Sequence, residues 1–270
     1  MASGAIFVLG ESELAKLWDG TAAAPPALVL PGALDAALAA TLDAGGLAGR
    51  RELLARIDTW AADERAPERL LLLLGPACSG KTAVVAHLVA AAVTAASAQP
   101  AARTVAAHAC VRSSAESLDG ARIVRSLAAQ LRGQLPEYDA LLRARAELAD
   151  QLRADADAAS PLSAARALDL AERALWAPLR RLARAPRRVE RLAHGAPDGG
   201  GDGCGCGALL IAIDGVDCGT APAALLAHAL DRLPRWLRIV ATARASSRAA
   251  SELGAAAVSY THLTLPTKRI

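Results

Sequence analysis

Lysine is nearly missing from this chain: only Lys16, Lys81 and Lys268 occur in 270 residues, and arginine carries the remaining positive charge. Aromatic residues are as scarce, at 3%, although 53% of the chain is hydrophobic. Much of that hydrophobic share is alanine, which favours helix but buries little area per residue. A core must therefore rely on Leu, Val and Ile. Cysteine is too sparse for a disulfide framework, since Cys78, Cys110, Cys204, Cys206 and Cys218 are an odd number. The start lacks a basic segment and meets Glu11 and Glu13 too early for a secretory signal. The Ala/Val run Ala83–Ser97 contains His87 and falls short of the about 20 apolar residues a membrane span needs. A net charge of +3 is too small to call for a nucleic-acid partner. These absences predict a cytoplasmic protein with no membrane partner.

What is present is a rhythm of helical and buried-strand patterns. Arg50–Trp60 carries Leu53, Leu54, Ile57 and Trp60 at helical spacing. Arg69–Leu74 is a short continuous apolar run, as a strand buried on both faces should be. A helix over Lys81–Ser97, a strand over Thr104–Val111 and a helix over Leu118–Leu135 follow. Two longer helices are predicted over Tyr138–Ala158 and Pro161–Leu182. After the Gly-rich stretch Gly195–Gly207 come a strand (Ala208–Ile213), a helix (Pro222–Leu233) and a strand (Leu237–Thr242). Strands separated by helices predict a helix-rich α/β fold, a parallel sheet with helices on both faces. Before residue 46 only short helices at Glu11–Trp18 and Ala33–Leu42 are expected, without visible chemistry.

The chemistry begins where the first strand ends. Gly75-Pro76-Ala77-Cys78-Ser79-Gly80-Lys81-Thr82 satisfies the G-x-x-x-x-G-K-[ST] spacing between a predicted strand and a predicted helix. Such a loop turns tightly on its glycines so that backbone N–H groups point at phosphate oxygens, and the helix start adds its positive dipole end. Lys81 would supply charge to the β- and γ-phosphates, and Thr82 a hydroxyl for Mg²⁺. With 21 glycines and three lysines in the chain, chance yields about 0.002 such matches. The expected ligands are ATP or ADP with Mg²⁺.

An acidic element complements the loop. Leu209–Asp214 is an apolar strand ending in aspartate, and Asp214 would hold Mg²⁺ through water at the strand's carboxyl end. Asp217 is a candidate second carboxylate to orient an attacking water, or else a turn residue. Thr242 and Arg244, at the end of the fourth strand, are candidates to sense the γ-phosphate; a solvated loop is the plain alternative for Arg244.

Together these segments resemble the STAND class of P-loop NTPases, which contains NACHT-type signalling proteins. Leu47–Leu54, with Gly49 and Glu52, is similar to the F-x-G-R-E-x-L segment of that class; Leu209–Asp217 resembles hhhhD-G-h-D; and Leu233–Arg244 resembles LP-x-W-h-(K/R)-h-h-h-T-S-R. His108–Cys110, Val124–Leu131 and Leu135–Tyr138 resemble the TANC-like and large ankyrin-repeat subgroup. The resemblance spans about residues 47–248. It implies an ASCE/AAA-like P-loop fold lacking its C-terminal part, and a switch closed by ADP and opened by ATP. It also implies protein partners bound through downstream regions and nucleotide-dependent self-association. Two departures stand out: Cys218 occupies the place of the usual glutamate after the second aspartate, and Ala243 that of serine in T-S-R. A thiol does not replace a carboxylate base at neutral pH without strong activation. Weak hydrolysis is expected, and the alternative is a non-hydrolysing scaffold stabilised by nucleotide. GTP is disfavoured because no lysine lies in an [NT]-K-x-D element.

The last thirteen residues, Val258–Ile270, contain no alanine and hold three of the eleven threonines. VSYTHLTLPT looks like a translated sequencing adapter and is set aside as a foreign tail, the alternative being a real C-terminal strand. The expected organisation is an extension (1–46), a nucleotide domain (47–257) and that tail (258–270). Cys204-Gly-Cys206 lacks the second pair of a closed zinc site. The arginines at 180, 181, 184, 187, 188 and 191 read as a solvated helix end, and His108 as a packed core residue.

Overall fold

Five leucines in a row, Leu70–Leu74, form a strand with no exposed side. Leu70, Leu72 and Leu74 face one apolar layer, while Leu71 and Leu73 face another containing Leu53, Ile57, Val84 and Leu88. A strand buried on both faces needs this continuous pattern, because successive side chains point to opposite sides.

The computed structural model describes residues 51–63, 66–94, 102–154, 163–183, 208–256 and 262–264. In chain order these form α1 (Arg51–Ala62), β1 (Leu70–Leu74), α2 (Lys81–Thr94), β2 (Ala102–Ala109), α3 (Ala115–Leu118) and α4 (Gly120–Gln134). Next come α5 (Pro136–Arg143), α6 (Ala146–Ala154), α7 (Ala164–Ala171), a π-helical turn (Glu172–Trp176) and α8 (Ala177–Ala183). The remainder is β3 (Ala208–Asp214), a 3₁₀ turn (Val216–Cys218), α9 (Thr220–Leu230), β4 (Leu237–Ala243), α10 (Arg248–Ala256) and β5 (His262–Thr264).

The strands are ordered β2-β3-β4-β1-β5 and every pair is parallel. Leu209, Ile211 and Ile213 of β3 share the large layer with α4, α9 and the π turn, and Leu210 joins the layer of α1 and α2. The expected helix-rich α/β fold, a parallel sheet covered on both faces, is what the chain adopts. β4 separates β1 from β3, so the ends of β1, β4 and β3 lie side by side at one edge.

Several helix boundaries differ from the sequence pattern, each for a local reason. The helix predicted over Leu118–Leu135 breaks at Asp119, whose carboxylate accepts the Arg122 N–H at 2.9 Å and caps α4. The helix predicted over Tyr138–Ala158 divides into α5 and α6, with α5 starting at Pro136, which suits a first helical position. Tyr138, Leu142, Leu148 and Leu152 are all buried, and the step from Leu142 to Leu148 breaks the spacing of a single helical stripe. The helix predicted over Pro161–Leu182 becomes α7, the π turn and α8, with the Tyr138 hydroxyl donating to the Ala174 carbonyl at 2.6 Å. α10 was not anticipated.

The tail set aside on composition nevertheless supplies β5, which pairs with β1 so that Leu263 lies opposite Leu73. An open strand edge presents unpaired backbone groups, and an extended segment can satisfy them whatever its side chains. The predicted helices Glu11–Trp18 and Ala33–Leu42, the loop Gly195–Gly207 with both of its cysteines, and the arginines at 184, 187, 188 and 191 lie outside the described residues. No helix among the described residues is long and apolar enough to cross a membrane.

Candidate functional site

β1 ends at Leu74 and α2 begins at Lys81, so Gly75–Gly80 must turn the chain back over the sheet edge. The left-handed backbone positions are Cys78 (φ 58°) and Gly80 (φ 84°). Gly80 adopts this conformation freely, whereas a Cβ-bearing residue such as Cys78 is strained there. Sequence reasoning placed Cys78 in the loop but assigned the tight turn to glycines alone, whereas Cys78 shares the left-handed conformation. Ser79 is buried and Cys78 exposed.

Lys81 folds back across its own loop. Its ammonium donates to the carbonyls of Gly75 (3.0 Å) and Pro76 (2.6 Å) and to Ser79 Oγ (3.3 Å). Partial burial lowers its pKa from the ordinary lysine value and Arg244 adds to this, while Asp217 and Asp214 oppose it. The lysine charge thus lies in the field of both aspartates.

Asp214 closes β3 and is itself buried. Its Oδ2 accepts the Thr82 hydroxyl at 2.7 Å and its Oδ1 accepts the Thr242 hydroxyl at 2.5 Å. Thr242 Oγ1 in turn accepts the Gly215 N–H at 2.8 Å. Thr82 of α2, Asp214 of β3 and Thr242 of β4 are therefore joined in one hydrogen-bonded chain. Thr242 is 1% exposed and directed at Asp214, so its hydroxyl positions that carboxylate. Gly215 (φ 69°) admits no side chain, since a Cβ would come 2.7 Å from the Cys110 carbonyl oxygen.

Asp217 follows in the 3₁₀ turn, with a side chain 5% exposed. Arg244 donates to it twice, from Nε to Oδ2 at 2.6 Å and from its backbone N–H to Oδ1 at 3.2 Å. This hydrogen bond raises the Arg244 pKa. Arg112, beyond the end of β2, lies 3.8 Å from the same Oδ2 and donates to the Asp217 carbonyl at 3.4 Å. Both carboxylate oxygens are already engaged by Arg244, through its side chain and its backbone N–H. The Cys218 thiol is pushed up by burial and by Asp217, against the pull of Arg112 and Arg244, and so stays protonated at neutral pH.

The structure thus gathers Lys81, Thr82, Asp214, Asp217, Thr242 and Arg244 at one sheet edge. Of the resemblance segment before the loop, Gly49 lies outside the described residues, and Glu52 is exposed and paired with Arg56 at 2.7 Å. Arg112 was missed: no motif marks it, and only the adjacency of β2 and β3 brings it in. The residues fit a Mg²⁺–nucleotide. Thr82 Oγ1 and Asp214 Oδ2 converge as a pair of hard oxygen donors at the start of a fourteen-residue helix. No cluster of three or more His, Cys, Asp or Glu side chains suited to a metal occurs among the described residues. Mg²⁺ requires none, because it takes its other ligands from phosphate and water.

A family model for the AAA ATPase domain matches residues 46–241. No curated protein matches the chain.

Proposed function

The chain belongs to the AAA ATPase domain family, and from that premise we propose that it is an ATP/ADP-binding switch domain of the STAND type, with slow hydrolysis. Gly75–Thr82 would cradle the phosphates, Lys81 would leave the Gly75 and Pro76 carbonyls for phosphate oxygens, and Thr82 and Asp214 would hold Mg²⁺. The bound ion would neutralise charge on the terminal phosphates. Thr242 keeps Asp214 oriented, and Arg244 reads the presence of a γ-phosphate. The reading carries with it a cytoplasmic signalling protein, partners bound outside the nucleotide domain (47–257), and nucleotide-dependent self-association.

The observation that supports slow turnover best is the commitment of Asp217 to Arg244, next to a protonated Cys218. Asp217 already has both oxygens engaged by Arg244 and the Cys218 thiol carries its proton, so neither offers a free acceptor to an attacking water. Cys218 equally favours a second reading, a scaffold that nucleotide merely stabilises.

Turnover and conformational response separate the two. Cys218→Glu restores an acid at the usual place and is expected to raise ATP turnover by about tenfold or more. Hydrogen exchange around Arg244 is expected to differ between ADP and a non-hydrolysable ATP analogue. Identical exchange with both nucleotides, and no gain in turnover, would favour the scaffold.

A further inference from the structure

Asp217 holds two arginines with unequal grip. Arg244 occupies Oδ2 at 2.6 Å through its side chain and Oδ1 at 3.2 Å through its backbone N–H. Arg112 waits 3.8 Å from Oδ2, with its side chain 61% exposed. The three residues follow adjacent strands, β2, β3 and β4. If the Arg244 side chain swings toward a nucleotide, its backbone N–H stays on Oδ1 and only Oδ2 is vacated. A carboxylate 5% exposed that loses its cation is costly unless another replaces it. Lys81 is not free to do so, because its ammonium is held by Gly75, Pro76 and Ser79 or, when nucleotide is bound, by phosphate. Arg112 has both the freedom and the position.

We propose that Arg112 is the reserve counter-ion of Asp217, closing onto Oδ2 when Arg244 turns to a γ-phosphate. The exchange makes the triphosphate state reachable without an unpaired buried charge, so Arg112 sets the preference for ATP over ADP without touching either. It is a positioning residue, and the inference rests on the reading of Arg244 given above. No sequence pattern carries it, since Arg112 and Asp217 are 105 positions apart.

The test is a competition titration on the full chain with Mg²⁺, displacing a fluorescent ADP with ADP or with a non-hydrolysable ATP analogue. Arg112→Gln is expected to lower the ratio of ATP-analogue to ADP affinity about tenfold, with Arg112→Lys recovering part of it. In an Asp217→Asn background the same Arg112→Gln change is expected to leave the ratio unaltered, because no charge remains to be neutralised. An Arg112→Gln protein that weakens both nucleotides equally, or neither, overturns the exchange, as does an undiminished effect beside Asp217→Asn. Should Asp217→Asn fail to fold, the Gln and Lys variants at position 112 decide alone. Arg244→Ala distinguishes the two layers. If it leaves the ratio at the wild-type value, the sensor reading fails and the exchange falls with it. If it lowers the ratio while Arg112→Gln does not, only the exchange fails.

Discussion

His108 illustrates how a single side chain ties the site's surroundings to pH. It is 4% exposed, and its Nε2 lies 2.9 Å from the Ser117 carbonyl, while Nδ1 is buried without a partner. The neutral ring donating from Nε2 satisfies this geometry; protonating Nδ1 would bury an unpaired donor. Burial accordingly lowers its pKa, opposed by the Ser117 contact. Below the ordinary histidine value the unfolded chain takes up a proton that the folded chain refuses, so stability falls as pH falls from about 6.5 toward the folded pKa. The loss is about 1 kcal/mol per pH unit in that window. Urea midpoints measured at pH 7.5 and 5.5 should therefore separate, and His108→Gln should bring them closer. Equal separation in both proteins would remove His108 from the account. Cys218 and Asp217 make the complementary point at the same scale. Each is of a type that catalysis uses, yet burial protects one and Arg244 occupies the other.

At the scale of elements, side chains do what backbone pairing leaves undone. β2 ends the sheet opposite β5, and its Ala107 has both backbone groups bound by Gln130 of α4. The Ala107 N–H donates to Gln130 Oε1 at 2.8 Å, and Gln130 Nε2 donates to the Ala107 carbonyl at 2.8 Å. The amide thereby imitates a neighbouring strand and fixes α4 to the sheet. Gln130→Ala would leave a buried donor and acceptor unsatisfied and should cost about 2–4 kcal/mol by chemical denaturation. A cost within experimental error would show that water replaces the amide. β1 and β3 were readable from the sequence because leucine and isoleucine runs leading to a glycine, at Gly75 and Gly215, have few other uses. Helix breaks were less readable. The stop before Pro136 was legible, whereas the cap at Asp119 is an ordinary residue in an alanine-rich background, and the close approach at Gly120, where a Cβ would meet Ala167 at 2.8 Å, is a tertiary fact.

At the scale of the molecule, the site is an outcome of strand order. Gly75–Thr82 and the strand ending in Asp214 were legible because their chemistry is contiguous along the chain. The link between them was legible only as an expectation, since Thr82 and Asp214 are 132 positions apart. Placing β4 between β1 and β3 brings Thr242 onto Asp214 and Arg244 onto Asp217, and placing β2 beside β3 adds Arg112. This edge is expected to bind a nucleoside triphosphate with Mg²⁺ through Lys81 and Asp214. Calorimetric titration of ATP into the purified chain, with Mg²⁺ and then with EDTA, tests it most directly. Binding should depend on Mg²⁺ and weaken by about tenfold or more in Lys81→Ala and in Asp214→Asn, while both variants keep the wild-type circular dichroism. Binding of equal strength in the folded variants, or in EDTA, would contradict it.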